Sequence, residues 1–143
     1  MSDAPLGTVV AHFNQLLEGL AFIHDLGNLY LHTTRQFILS DIVEGKTKIM
    51  NWWQTRKKGE PLTEHENFVP YYLAPEMICN EKLSELTDLY SMAALMYHVW
   101  SGKPLHSEIP TRAAMLEWIK KDEVVDPKGI IKNPNDESEA KFC

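Results

Sequence analysis

The chain has 143 residues, a net charge of −6, 44% hydrophobic and 24% charged residues, a composition that suits one globular domain with one core. Its acidic balance argues against nucleic acid and anionic membrane as partners, since both favour a basic surface. No uninterrupted apolar run reaches the ~18 residues of a membrane span, and Met1-Ser2-Asp3-Ala4-Pro5 lacks the basic-then-apolar order of a signal peptide, so a cytoplasmic protein with Cys79 and Cys143 as free thiols is expected.

The first element is a helix. Val9, Val10, Phe13, Leu16, Leu17, Leu20 and Ile23 recur at helical spacing, and Gly27-Asn28 supplies the stop. This stripe reads as core. Two short apolar runs follow, Phe37-Ile38-Leu39 and Lys48-Ile49-Met50, separated by Val43-Glu44-Gly45-Lys46. A glycine between two such runs predicts a β-hairpin. The polar stretch from Gln54 to Asn67 is long for a plain connection. Its Arg56-Lys57-Lys58 cluster reads as a solvated loop.

Ser84 is placed to cap a second helix over about Glu85 to Trp100, with Leu86, Leu89, Ala93, Met96 and Trp100 on one stripe and Ser101-Gly102 as the stop. Apolar residues on its other faces predict burial on several sides. A third helix is expected over about Thr111 to Lys121, with Ala114, Met115, Trp118 and Ile119 as its apolar face. Met115 and Trp118 serve there either as an interaction patch or as packing against further structure. From about residue 122 to 143 the sequence turns polar, with Pro127, Gly129 and Pro134, and an irregular tail is expected. Periodicity alone gives a mostly α domain with a small β-hairpin and no function.

Five landmarks carry further information. Tyr71-Tyr72-Leu73-Ala74-Pro75-Glu76 resembles the end of a protein-kinase activation segment, where Ala-Pro-Glu is the signature. Asp88 follows twelve residues later in Leu86-Thr87-Asp88-Leu89-Tyr90-Ser91, which is similar to the start of that family's buried central helix. Gly102, fourteen residues on, stands in Ser101-Gly102-Lys103-Pro104, similar to its SGxxP turn. Gln15 to His24 resembles the helix before the catalytic loop, and the hairpin falls where two short strands flank the nucleotide site. The resemblance runs through about residues 9–110 of a single domain spanning 1–143. It implies an incomplete protein-kinase-like C-lobe, with no N-lobe and with the last helices missing.

The same alignment implies a degenerate site. The family's loop reads HRDxKxxN and leads into Ile-Leu. Anchored on Ile38-Leu39, Tyr30 stands at its His, Leu31 at Arg, His32 at the catalytic Asp, Thr34 at Lys and Phe37 at the metal-binding Asn. Asn51-Trp52-Trp53 stands where DFG is expected. Phosphoryl transfer depends on positioning and charge neutralisation by metal held on carboxylate or amide oxygens. Phe37 offers no ligand and Asn51 only a neutral carbonyl. His32 could serve as a base, but loss of a general base alone costs about 10²–10⁴ in rate.

The resemblance therefore implies a pseudokinase fragment with no catalytic residues and no metal, acting as a scaffolding or regulatory module for a protein partner. The alternatives are a pseudokinase that binds ATP once joined to an N-lobe, with Leu39 on the floor of the site, and a divergent active kinase using His32. No other cofactor is implied. Ala74, Pro75, Glu76, Asp88 and Gly102 keep structural roles by this resemblance. Asp88 is expected to hold the backbone from Tyr30 to His32. Glu76 is expected to lack its usual arginine, leaving it without a partner in this chain. Tyr30 and Trp52 would stack in the lobe's regulatory column, and Leu39, Leu95 and Val99 belong to a second apolar column.

Phe37, Trp52 and Trp53 are expected either to fill the empty cleft or to remodel it as a docking surface. Tyr71, Tyr72, Thr55 and Thr63 read as an unmodified surface loop, with phosphorylation against Arg56-Lys57-Lys58 as the alternative. The six histidines, His12, His24, His32, His65, His98 and His106, show no metal-binding spacing, and His24 reads as structural.

Overall fold

The computed structural model describes residues 5–41, 44–62, 68–79, 81–105, 107, 111, 113–114 and 117. Helix α1 spans Leu6–Asp25 and ends at Gly27, whose φ of 78° suits a residue without a side chain. Its core stripe is Val9, Phe13, Leu16, Leu20 and Ile23. Val10 and Leu17 lie on the flank of that stripe, 38% and 39% exposed. Among the described helices α1 alone is long and apolar enough to cross a bilayer; its Val9, Phe13, Leu16, Leu20 and Ile23 pack here as core.

The hairpin forms where the sequence places it. Strands β2 (Ile38–Asp41) and β3 (Lys46–Ile49) pair antiparallel with Ile38 opposite Ile49 and Asp41 opposite Lys46. Gly45 turns the chain at φ 63°. Alternation along β3 buries Thr47 and leaves Lys46 and Lys48 exposed. Thr47 is also the anchor to α1: its N–H donates to Gln15 Oε1 at 2.8 Å, and its hydroxyl bonds the His12 ring. The Gln15 amide nitrogen reaches on to the Gly45 carbonyl at 2.9 Å. One side chain thus fixes both the strand and the turn on the helix.

The stretch after the hairpin is more ordered than its composition suggested. Arg56–Lys57 forms strand β4, which pairs antiparallel with β1 (Asn28–Leu29) at the end of α1. Lys58 continues the clamp, its N–H donating to Gly27 O at 3.0 Å. Its ammonium bonds the His24 carbonyl and the Glu85 carboxylate. The cluster read as a solvated loop is therefore half strand and half tether, because main-chain pairing is indifferent to charged side chains that point outward.

Helix α2 (Pro75–Cys79) is a short turn that buries Met77 and Ile78. Helix α3 spans Glu85–Ser101. Ser84 caps it, accepting from Leu86 N at 3.2 Å while the Thr87 hydroxyl accepts from Ser84 N at 3.0 Å. Gly102 closes it in the left-handed conformation at φ 76°.

The expected apolar stripe of α3 is not its buried face. Leu86 is 70% and Leu89 43% exposed, Ala93 faces solvent, and Met96 and Trp100 are half-buried. The buried residues are Thr87, Asp88, Ser91, Met92, Ala94 and Leu95. Hydrogen bonds decide the orientation: Thr87 and Asp88 have buried partners, so the helix turns its polar residues inward and leaves one apolar side uncovered among the described residues.

Two apolar clusters result. One joins α1 to α3 through Leu16, Leu20, Tyr30, Tyr72, Met92 and Leu95. The other gathers Leu29, Leu31, Leu73, Ala74, Met77, Ile78 and Leu83 beneath α2. Most of the expected third helix, Met115 and Trp118 included, lies outside the described residues, as does the tail. Ala114 N donates to Thr111 Oγ1 at 3.1 Å where that helix was expected to begin.

Candidate functional site

The site is organised by one buried carboxylate. Asp88, in the first turn of α3, is wholly buried. Its Oδ2 accepts from Tyr30 N at 2.8 Å and lies 2.8 Å from His24 Nε2, and its Oδ1 accepts from Leu31 N at 2.7 Å. Both carboxylate oxygens are thereby engaged, as a buried charge requires. His24 is oriented from the last turn of α1, so α1, α3 and the loop between them meet on this group.

The grip shapes the loop. Leu31 is held at φ 60°, and His32 N donates back to Tyr30 O at 2.8 Å, closing a tight three-residue turn. A left-handed leucine is strained. The bond from Asp88 and the burial of Leu31, 3% exposed, hold it there. Tyr30 is buried and its hydroxyl donates to Met50 O at 2.8 Å. Burial, reinforced by the Asp88 charge, pushes this phenol well above its ordinary pKa.

Phe37 and the Asn51 segment lie side by side. Met50 N donates to Phe37 O at 2.7 Å, and the next residue, Asn51, is left-handed at φ 57°. The two positions that the resemblance assigns to metal ligands are thus a phenylalanine and a neutral amide, on segments joined by one main-chain bond. Among the described residues no three His, Cys, Asp or Glu side chains gather as a metal site.

Trp52 and Trp53 correct the sequence reading. They are 65% and 66% exposed, so neither fills the cleft and Trp52 does not stack beneath Tyr30. The 3-10 turn Trp52–Gln54 that follows left-handed Asn51 turns both rings outward. Leu39 is likewise exposed, on the hairpin's outer face.

His32 lies in a cleft between the loop Leu31–Thr34 and the segment Phe68–Leu73. Its ring meets that of Phe68 at 4.9 Å. Burial and then the Arg56 guanidinium lower its pKa, and Asp88 opposes them only in part. Thr34 lines the same cleft and caps the 3-10 turn Arg35–Phe37, accepting from Gln36 N at 3.2 Å.

Ala74 is fully buried, and Pro75 opens α2. Glu76 has a partner after all: the Thr87 hydroxyl donates to its Oε1 at 2.7 Å. That correction follows from Thr87, a buried residue the sequence reading passed over because threonine seldom marks a core. Tyr72 is also no loop residue. It is 6% exposed, with its hydroxyl 2.7 Å from His98 Nδ1. Thr63 lies outside the described residues, as do His65, His106 and Cys143. The Thr87 bridge and the Tyr72–His98 pair are long-range contacts with no local spacing signal.

The protein kinase domain family matches residues 5–140. The rabbit (Oryctolagus cuniculus) serine/threonine-protein kinase 17A is 33% identical over 92 residues, covering 62% of this chain and 23% of that protein. Serine/threonine-protein kinase pkn2 of Myxococcus xanthus is 29% identical over 115 residues, covering 74% of this chain and 14% of the relative. The human (Homo sapiens) serine/threonine-protein kinase ULK3 is 29% identical over 101 residues, covering 63% and 20%. The chain thus spans under a quarter of the length of each of these relatives. With nearly its whole length matched, this chain belongs to the protein kinase domain family.

Proposed function

We propose that this chain is a non-catalytic, pseudokinase-type segment of the kinase domain that acts inside the cell by binding a protein. The supporting observation is the pairing of Phe37 with the Asn51 segment through the Met50 N to Phe37 O bond. Phosphoryl transfer needs divalent metal neutralising the phosphate charge, and neither a phenylalanine nor a neutral amide supplies the charged oxygen that a hard cation favours. His32 is the nearest substitute for a general base, and its lowered pKa keeps the ring neutral and proton-accepting near pH 7. A base without metal ligands supplies only one part of the chemistry.

The cleft beside His32 supports the binding half of the reading. Its volume of about 100 Å³ is far below the roughly 300–1,000 Å³ of small-molecule sites. Trp52, Trp53 and Leu39 are among the exposed large apolar side chains available for a protein contact.

Thermal melts of the chain, and of any longer form that carries it, with ATP alone and with ATP and Mg²⁺, test the proposal. Ligand at 100 times its Kd adds about 2.7 kcal/mol, a rise of several degrees. We expect no Mg²⁺-dependent rise. A rise that requires Mg²⁺, together with phosphate transfer lost in His32→Ala, would establish the divergent-kinase alternative instead.

A further inference from the structure

The cleft between Leu31–Thr34 and Phe68–Leu73 carries an unexplained feature. Thr33 lines it, is 4% exposed, and its hydroxyl has no hydrogen-bond partner among the described residues. Buried hydroxyls are almost always paired, so an unpaired one asks for a missing group. The cleft has room for about one amino-acid side chain.

Among the described residues lining the cleft none carries a carboxylate. Arg35 is exposed between Thr34 and Gln36, which both line the cleft, and its charge is felt at Tyr72 on the opposite wall. Arg56 acts on His32 in the same way. Asp88, whose charge reaches His32, has both oxygens engaged by Tyr30, Leu31 and His24. In a chain of net charge −6 this is a local cationic rim around an unpaired donor.

We propose that the cleft seats the side-chain carboxylate of an aspartate or glutamate from a partner polypeptide, with the Thr33 hydroxyl donating to it and Arg35 at its rim. The inference rests on the protein-binding reading above and specifies the chemistry of the partner. A carboxylate suits the site for two reasons. It is an acceptor for a hydroxyl, and its charge matches the rim.

The test is a nuclear magnetic resonance titration of the full chain with acetyl-Ala-Ala-Glu-Ala-Ala-amide, its glutamine counterpart and its phosphoserine counterpart. The glutamate peptide is expected to shift the signals of Thr33 and Thr34 and to bind at least ten-fold more tightly than the glutamine peptide. Thr33→Val, which keeps the shape, and Arg35→Gln, at the surface, are each expected to weaken it several-fold. Equal binding of the glutamate and glutamine peptides, or shifts confined to other residues, would overturn the proposal. Tighter binding by the phosphoserine peptide would overturn the carboxylate assignment. Adding ATP and Mg²⁺ to the same samples separates the two readings. Phosphate turnover with shifts at Phe37 and Asn51 defeats the non-catalytic reading, whereas silence at Thr33 defeats only the carboxylate site.

Discussion

Asp88 and Tyr30 stand 58 residues apart in the chain and are joined by a 2.8 Å bond from the Tyr30 N–H to the Asp88 carboxylate. Leu31 N and His24 Nε2 complete the shell around that carboxylate. Asp88→Asn keeps the shape but turns an amide donor toward another donor. We expect a loss of about 3 kcal/mol, as when a buried charged partner is removed. Urea denaturation checks this, and an unchanged midpoint would show that the loop holds its shape without Asp88.

The inward face of α3 gives a second prediction. Leu95 is fully buried and Leu86 is 70% exposed. Leu95→Ala should cost about 2–5 kcal/mol, and Leu86→Ala should stay within about 0.5 kcal/mol. If the two cost the same, the helix does not pack on the face described.

Thr87 joins two elements by one hydroxyl, accepting from Ser84 N and donating to Glu76. Thr87→Val should cost about 1–3 kcal/mol by leaving both partners unpaired. Glu76→Ala should cost much less once Thr87→Val is present. A double-mutant cycle measures this coupling, and additive losses would mean that the contact does not contribute to stability.

Acid should weaken the fold through His32 and His98. Burial lowers both pKa values, with Arg56 adding to it at His32 and Arg35 at His98. The unfolded chain takes up these protons near pH 6.5, before the folded chain does. Stability is therefore complete above about pH 6.5 and is lost as the pH falls below it. Melting temperatures measured between pH 7.5 and 5 should show a smaller acid-side decline in His32→Gln than in the parent. An identical decline would remove His32 from the account.

The sequence disclosed the elements that local chemistry specifies. Ser84 before α3, Gly102 after it and Gly45 between the apolar runs are signals read within a few residues, and each lies where expected. The loop register rests on a family pattern alone. The facing of α3 was not, because periodicity ranks residues by apolarity while Thr87, Asp88 and Ser91 are buried for their hydrogen bonds. Nor were the outward turns of Trp52 and Trp53, which depend on a left-handed Asn51 that no spacing announces. The β1–β4 pair escaped notice because two residues are too few to show alternation.

That small pair has a consequence for how such a chain changes over time. Asn28–Leu29 and Arg56–Lys57 close the base of a loop, and the residues from Tyr30 to Trp53 lie within it. The closure is made of main-chain bonds, which any residue but proline can form. The tip could therefore be rewritten, one chemical group after another, while the base stayed shut. A drawstring of peptide groups lets the residues of the loop change without the surrounding architecture coming undone.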